Sequence, residues 1–516
     1  MLALVSTLLV PVTAGNAAAE EALPLTEAQR ALAEAEESGV RVEVTGERGE
    51  RTTVFANPDG STFTLEESSV PVRVAKPGGG WQAPDPTLVR RADGSVGPRA
   101  ASAEMTFSGG GNALLARIEE QGRWLQLDWP GTLPEPQLDG TSAVYHEVLP
   151  DVDLKVTATV ESFQQVLVVK TPEAAANEEL EKLTFGLKTD GLDMVRGAAG
   201  TLAALDAGGR TVFRAPSAQM WDSAGKGAPQ PKTQPRSAVA EAPESGSAGL
   251  AEGASSGSGL EPGQGDTVSR MDMQLTQDTL TIVPDADMLA RTDRAAYPLF
   301  IDPTITWGEA ERTLLRSDGY ESYGWGNGSD NLGKGVGKCG TWKGYSCGPG
   351  YVQRLYFEFS PANLKGKKVL DATFRVTEPW AFQCDPRWVD LVRTNNISSS
   401  TTWSSRPKAL DLMVDRHVSA GRGSLCDPDS PDAPIEFNDN PEESNENLTP
   451  TVRNFAAGKF SRLTLELRAH DESDTSAWKR FRNDAVLEVD FVGLPDKPTG
   501  IGLVTGSGTV CERSAA

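Results

Sequence analysis

The chain has 516 residues, with 49 basic side chains against 72 acidic ones and a formal net charge of -23. That balance repels phosphate backbones and anionic bilayer surfaces, so nucleic acid and acidic membranes are excluded as partners. At ~100–200 residues per domain, the length accommodates three or four domains, each able to bury its own core.

The first twelve residues are almost wholly apolar and are followed by Ala17-Ala18-Ala19, the small residues that a signal peptidase reads. Residues 1–19 are therefore expected to be a secretory signal, with the mature chain starting near Glu20. No Lys or Arg precedes the apolar run, which puts the true start of the signal upstream of this Met. No other stretch approaches the ~20 apolar residues of a membrane span.

Residues 20–39 carry a short helix. Thr26 and Gln29 form a capping box, Ala31, Leu32 and Ala35 give a weak apolar stripe, and Gly39 suits the stop. The pattern then changes to period two. Val40, Val42 and Val44 alternate with polar residues, as do Val70, Val72 and Val74, with Gly, Pro, Asn and Asp turns between. Further strands are expected at 124–129, 152–160, 164–170 and 184–188. One helix over 173–183, capped by Thr171 with Pro172 in its first turn, interrupts them.

Residues 223–267 are dominated by Ser, Gly, Pro, Ala and Glu. Such a segment cannot bury enough apolar surface to offset its ordering entropy, and a disordered insertion is expected. Strand-like runs at 274–283 and 297–306 return to complete an N-terminal β domain over 40–307. A second domain, 308–494, has strand patterns at 352–359, 369–376, 388–393, 463–468 and 485–492. Residues 495–516 are a hinge and the start of a truncated β unit. The fold class is all-β: two successive β-sandwich or jelly-roll-like domains with short helices and a disordered insertion.

The segment from Tyr145-His146-Glu147-Val148 to Leu154, with Val166-Leu167-Val168-Val169 and Tyr297-Pro298-Leu299-Phe300-Ile301-Asp302-Pro303, resembles the N-terminal region of large secreted actinobacterial proteins. Arg354-Leu355-Tyr356-Phe357-Glu358-Phe359, then Ala372-Thr373-Phe374-Arg375-Val376, and the stretch from Asp471 to Phe481, resemble the DNRLRE-type β-sandwich module. Such proteins often carry LamG-like, fibronectin-type or RHS/YD-repeat modules further downstream. The resemblance implies a secreted or cell-surface location and extracellular adhesion or carbohydrate association. It brings no catalytic residues.

The five cysteines, Cys339, Cys347, Cys384, Cys426 and Cys511, all lie in the C-terminal part. In an exported chain they read as disulfides, and no CxxC-type spacing supports a metal site. Cys339 and Cys347 bracket a Gly-rich loop and are expected to pair. Cys384 with Cys426 makes the second bridge, and Cys511 is left unpaired.

Catalytic chemistry has little support. His146, His417 and His470 are not at metal-ligand spacing, and the GxSxG match at 253–257 lies in low-complexity sequence without the strand and helix a nucleophile elbow needs. Asp471, Glu472 and Asp474 read as a solvated loop rather than a glycosidase pair. Asp427, Asp429 and Asp432 form an acidic loop on which calcium is an option. No catalytic residue, metal ligand or cofactor is assigned.

Aromatic side chains carry more information. Tyr320, Tyr323, Trp325, Trp342 and Tyr345 crowd a Gly-rich stretch with Asn327, and flat rings on loops suit sugar faces. These six are the expected binding residues, with an extracellular or cell-wall polysaccharide as partner. The competing role is packing over the sandwich. The function expected is thus a non-enzymatic secreted or surface module for adhesion or weak polysaccharide binding. The alternatives are the N-terminal shell of an RHS-type polypeptide and an extracellular hydrolase.

Overall fold

The structure is a computed structural model. It describes residues 25–197, 200–227, 261–262, 266–302, 306–307, 312–328, 331–342, 345–346, 350–360, 362–398, 400–443 and 446–492, with the short strands Leu503–Val504 and Val510–Cys511. The expected signal, most of the low-complexity insertion, and Cys347 lie outside the described residues. The fold is all-β, its strands paired antiparallel and its helices short. No helix is long and apolar enough to cross a membrane.

Two sandwiches are present, but they do not follow one another along the chain. The helix Glu27–Ser38 forms as its capping box dictates, ends at Gly39 with φ of 71°, and buries Ala31 and Ala35. Those alanines, and Val54 and Leu65 of the next strands, enter the same core as Phe357, Phe374, Phe437 and Val489. The strand Phe63–Ser68 pairs along its length with Val486–Val492, setting Leu65 opposite Val489. Thr64 Oγ1 donates to Asp490 Oδ1 at 2.5 Å across this pair. The chain therefore begins the C-terminal sandwich, leaves it to build another, and returns. The expected boundaries are corrected accordingly: residues 27–68 belong with the C-terminal strands. Period-two alternation identifies a strand but not its partner, and here the partner is more than 400 residues away.

This outer, host sandwich has two facing sheets. One runs Val42–Glu43, Thr52–Ala56, Phe63–Ser68, Val486–Val492, Lys368–Glu378, Ala433–Asn438. The other contains Lys479–Phe481, Lys334–Lys338, Val352–Phe359, Leu463–Ala469, Arg387–Thr394 and Ala409–Val418, with Arg312–Arg316 also on Val352–Phe359. Alternation in Leu463–Ala469 sends Leu463, Leu465 and Leu467 into the core and Thr464, Glu466 and Arg468 to the other face.

The inserted sandwich is built from the described strands between Asp85 and Asp302. Its sheets include Asp85–Arg90, Gly111–Glu120, Arg123–Leu133 and Leu183–Asp190 on one side, and Ser142–Leu149, Val152–Ala158, Phe163–Val169 and Leu299–Asp302 on the other. Phe107, Leu127, Phe163, Leu167 and Phe185 fill the core between them. The expected helix over 173–183 is only the turn Pro172–Ala175. Asn177, accepting from Glu179 N, opens the separate 3-10 turn Glu178–Leu180 before a strand begins at Leu183. A local polar cap competes with helix continuation there.

Charged groups join the two sandwiches. Glu161, on a turn of the insert, receives the guanidinium groups of both Arg51 and Arg312 of the host. Arg312 also donates to Trp325 O at 2.8 Å and to Ser69 O at 2.9 Å. Burial opposes ionisation of Glu161, but the two arginines prevail and hold its carboxyl at about 2. A second contact reverses the direction. Glu321 of the host takes Arg270 and, at 2.9 Å, Gln219 Nε2 of the insert, yet burial pushes it up to about 7.

Candidate functional site

The strands Arg387–Thr394 and Ala409–Val418 are paired so that Trp388 faces His417 and Asp390 faces Asp415. Val389 and Leu391 point into the core, so Trp388 and Asp390 share the outer face. Part of that face is roofed by Ile397 and Trp403, which close over Tyr356. Under them, Tyr356 donates to Glu466 Oε1 at 2.8 Å and Arg354 bridges Glu466 and Glu472. The end carrying Trp388 and Asp415 is left open.

An open cleft of about 420 Å³ lies there, lined by Trp388, Asp415, Arg416, His417, residues 438–441 and Glu443. That volume falls in the range of small-ligand sites. Trp388 is 45% exposed. One face of its indole stacks on His417, with centroids 4.8 Å apart and planes 25° apart.

The polar walls are organised from behind. Asp390 is buried and saturated: Arg468 Nε donates at 3.2 Å and His470 Nδ1 lies at 2.9 Å. Asp439 caps the helix Leu448–Ala456 from a distance, accepting from Leu448 N at 2.8 Å and Thr449 N at 2.9 Å. Arg416 is spent on the loop, with Nε on Glu436 O at 2.8 Å, Nη1 on Asp415 O and Glu446, and Nη2 on Asn438. Asp415, by contrast, has no side-chain hydrogen bond or ion pair among the described residues. Burial, then Asp390 and Glu443, push its carboxyl up. Oxygens of Asp415, Glu443 and Glu446 come within 4.8 Å of one another, as do ligand atoms of Asp390, Asp415 and His470.

The aromatic residues singled out by sequence go elsewhere. Trp325 is 2% exposed and meets Phe357 edge-on at 5.8 Å. Tyr320 is buried against Trp221 and beneath Arg316. Tyr323 is buried with its hydroxyl donating to Thr401 O. Asn327 accepts from Asn483 N at 2.7 Å and donates to Asn331 at 3.1 Å, a loop brace. Trp342 and Tyr345 are register partners in a two-stranded ribbon, and their side chains lie outside the described residues. Tyr320, Tyr323 and Trp325 are therefore not a ligand platform: buried rings have no face to offer a sugar. Asp427, Asp429 and Asp432 form no cluster, and Asp432 pairs with Arg482 at 2.9 Å.

Trp388 was detectable. An aromatic one residue before the core-facing Val389 and Leu391 has to point outward. Glu443 and Glu446 were not, because they meet Asp415 only through tertiary packing. The bridge Cys384–Cys426 forms as the sequence suggests, with Cα atoms 5.5 Å apart. The Cys339–Cys347 pairing falls on a residue outside those described.

No family model matches the chain, and no curated protein matches it. Among solved structures, two crystal structures of exo-β-1,3-galactanase from Phanerochaete chrysosporium, one with β-1,3-galactotriose and one with galactose, align at 9% and 8% identity. The first alignment covers 86% of this chain and 94% of that one, and the second 80% and 98%; both have a TM-score of 0.13. Scores that low carry no argument about fold or function.

Proposed function

We propose that this protein is a non-enzymatic, extracellular carbohydrate-binding polypeptide that holds a polysaccharide chain in the Trp388 cleft. The observation that carries the reading is the open face of Trp388 at a polar cleft. A pyranose ring stacks on such a face while carboxylates and amides take its hydroxyls. Asp415 and Glu443 accept, and the amides of Asn438 and Asn440 lie alongside. His417 behind the indole keeps the ring from rotating away, so little side-chain entropy is lost on binding. The disulfide fits an oxidising compartment, in line with a secreted or surface location.

The test is affinity electrophoresis of the full chain through gels containing neutral or basic polysaccharides, with and without Trp388→Ala. Retardation of the wild type that disappears in a variant of unchanged melting temperature supports the reading. No retardation in any gel, or retardation that survives the substitution, sinks it. Release of new reducing ends during the run would turn the reading toward a hydrolase, with Asp415 and Glu443 the first carboxyls to neutralise.

A further inference from the structure

Resting on the carbohydrate reading of the Trp388 cleft, we infer that its preferred ligand is a sugar bearing a free, protonated amine: a de-N-acetylated hexosamine unit rather than a neutral or uronic one. The lining decides the sign of the ligand. Asp415, Asp439 and Glu443 line the cleft, and its basic side chains are Arg416 and His417. Arg416 cannot clamp an incoming anion, because its donors are held by Glu436, Asn438 and Glu446 and by Asp415's own carbonyl. His417 is committed face-on to Trp388. A uronate or sulfate would meet the carboxylates of Asp415 and Glu443 with no free basic donor to bind it.

Asp415 and Glu443 are placed to receive an ammonium. Asp415 stands across the strand pair from Asp390, a like-charge arrangement that costs stability. Asp390 takes Arg468 and His470 directly, whereas His470 and Arg416 act on Asp415 only through space and form no ion pair or side-chain hydrogen bond with it among the described residues. The two carboxyls are within one ammonium's reach. An ammonium whose tetrahedral N–H groups make charge-assisted bonds of about 2.8 Å reaches oxygens about 4.6 Å apart. The oxygens of Asp415 and Glu443 lie within 4.8 Å of each other, beside the exposed indole. With the pyranose on Trp388, an equatorial amine can turn to these carboxylates, giving Asp415 and Glu443 a direct ion-pair partner that neither has among the described residues.

The experiment is titration calorimetry of the full chain with a short glucosamine oligomer and its fully N-acetylated counterpart, in mildly acidic buffer where the amine is protonated. The free-amine oligomer is expected to bind about tenfold more tightly, roughly 1.4 kcal/mol. Asp415→Asn should erase that preference while sparing binding of the acetylated form, and Trp388→Ala should abolish both. Equal affinity for the two oligomers overturns the amine inference and leaves the carbohydrate reading standing. No binding of either overturns the amine inference, while the carbohydrate reading then stands or falls on the gel retardation of the wild type. An oligolysine peptide binding as tightly as the free-amine sugar, Trp388→Ala included, overturns the inference in favour of bare charge attraction. Binding that requires added calcium and ignores the amine overturns it in favour of a cation between Asp415 and Glu443. Asp415→Glu, which keeps the charge, guards against a folding defect: it should retain part of the preference.

Discussion

Trp388 stands directly across an antiparallel strand pair from His417, and the two rings stack at 4.8 Å with one indole face left to solvent. Trp325, in the segment that draws attention by sequence, is instead enclosed against Phe357. The two tryptophans should therefore behave in opposite ways.

Trp325→Ala is expected to lower unfolding stability by about 3–5 kcal/mol, the range for emptying a core aromatic site, and to change ligand retention only through that loss. Trp388→Ala should leave the unfolding free energy within about 0.5 kcal/mol of wild type, as for surface changes. Urea unfolding of both variants checks this. A Trp388→Ala protein as destabilised as Trp325→Ala would show the indole to be structural.

Glu321 makes the junction between the sandwiches pH-sensitive. Its carboxyl is raised from 4.5 to about 7 by burial, against Arg270 and Gln219, with the Trp403 backbone N–H and buried Tyr323 also facing it. A raised carboxyl favours the protonated form in the folded state. Its contribution is fully present below about 4.5 and is lost as pH rises through about 7. Unfolding midpoints measured across that interval should fall on the alkaline side, and Glu321→Gln should flatten this part of the profile. An unchanged slope in the variant would locate the titration elsewhere.

Glu161 has the opposite sign. Held at about 2 by Arg312 and Arg51, it stabilises the fold above its ordinary 4.5, and this contribution disappears as pH falls toward 2. Glu161→Gln leaves Arg312 buried without its carboxylate. Breaking one partner of such a pair costs about 3–5 kcal/mol. Acid denaturation of the variant should begin from a less stable protein and show a shallower dependence below pH 4.5. A variant as stable as wild type would mean that water reaches the pair.

The bridge Cys384–Cys426 closes a loop of 42 residues' separation. On the chain-entropy model it is worth up to about 4 kcal/mol. Cys384→Ser, compared with wild type under non-reducing conditions, should lose a large part of this and respond no further to reductant at this bridge. Equal stability with and without the bridge would mean that the reduced unfolded chain is already compact there.

What the sequence determined was local. The capping box at Thr26 and Gln29 and the stop at Gly39 are written in short-range chemistry and form as expected, and the bridge Cys384–Cys426 forms as well; of the alternating valines at 40–44 and 70–74, only Val42 and Val74 lie in strands, each two residues long. The all-β class follows from the same signals. Where a strand goes was not legible. Phe63–Ser68 reads like any half-buried strand, and only packing joins it to Val486–Val492, making one sandwich an insertion in the other. The aromatic segment failed for a related reason: composition counts rings but not the direction they face, and burial in a shared core turned Tyr320, Tyr323 and Trp325 inward. The Trp388 cleft is half legible, since strand alternation points the indole outward. Its carboxylates are set by tertiary structure alone: Arg416 pairs with Glu446, Asp439 caps the helix Leu448–Ala456, and Glu443 comes within 4.8 Å of Asp415. Local propensity acts over a few residues, whereas a site needs side chains brought together by hydrogen bonds and burial across the whole chain.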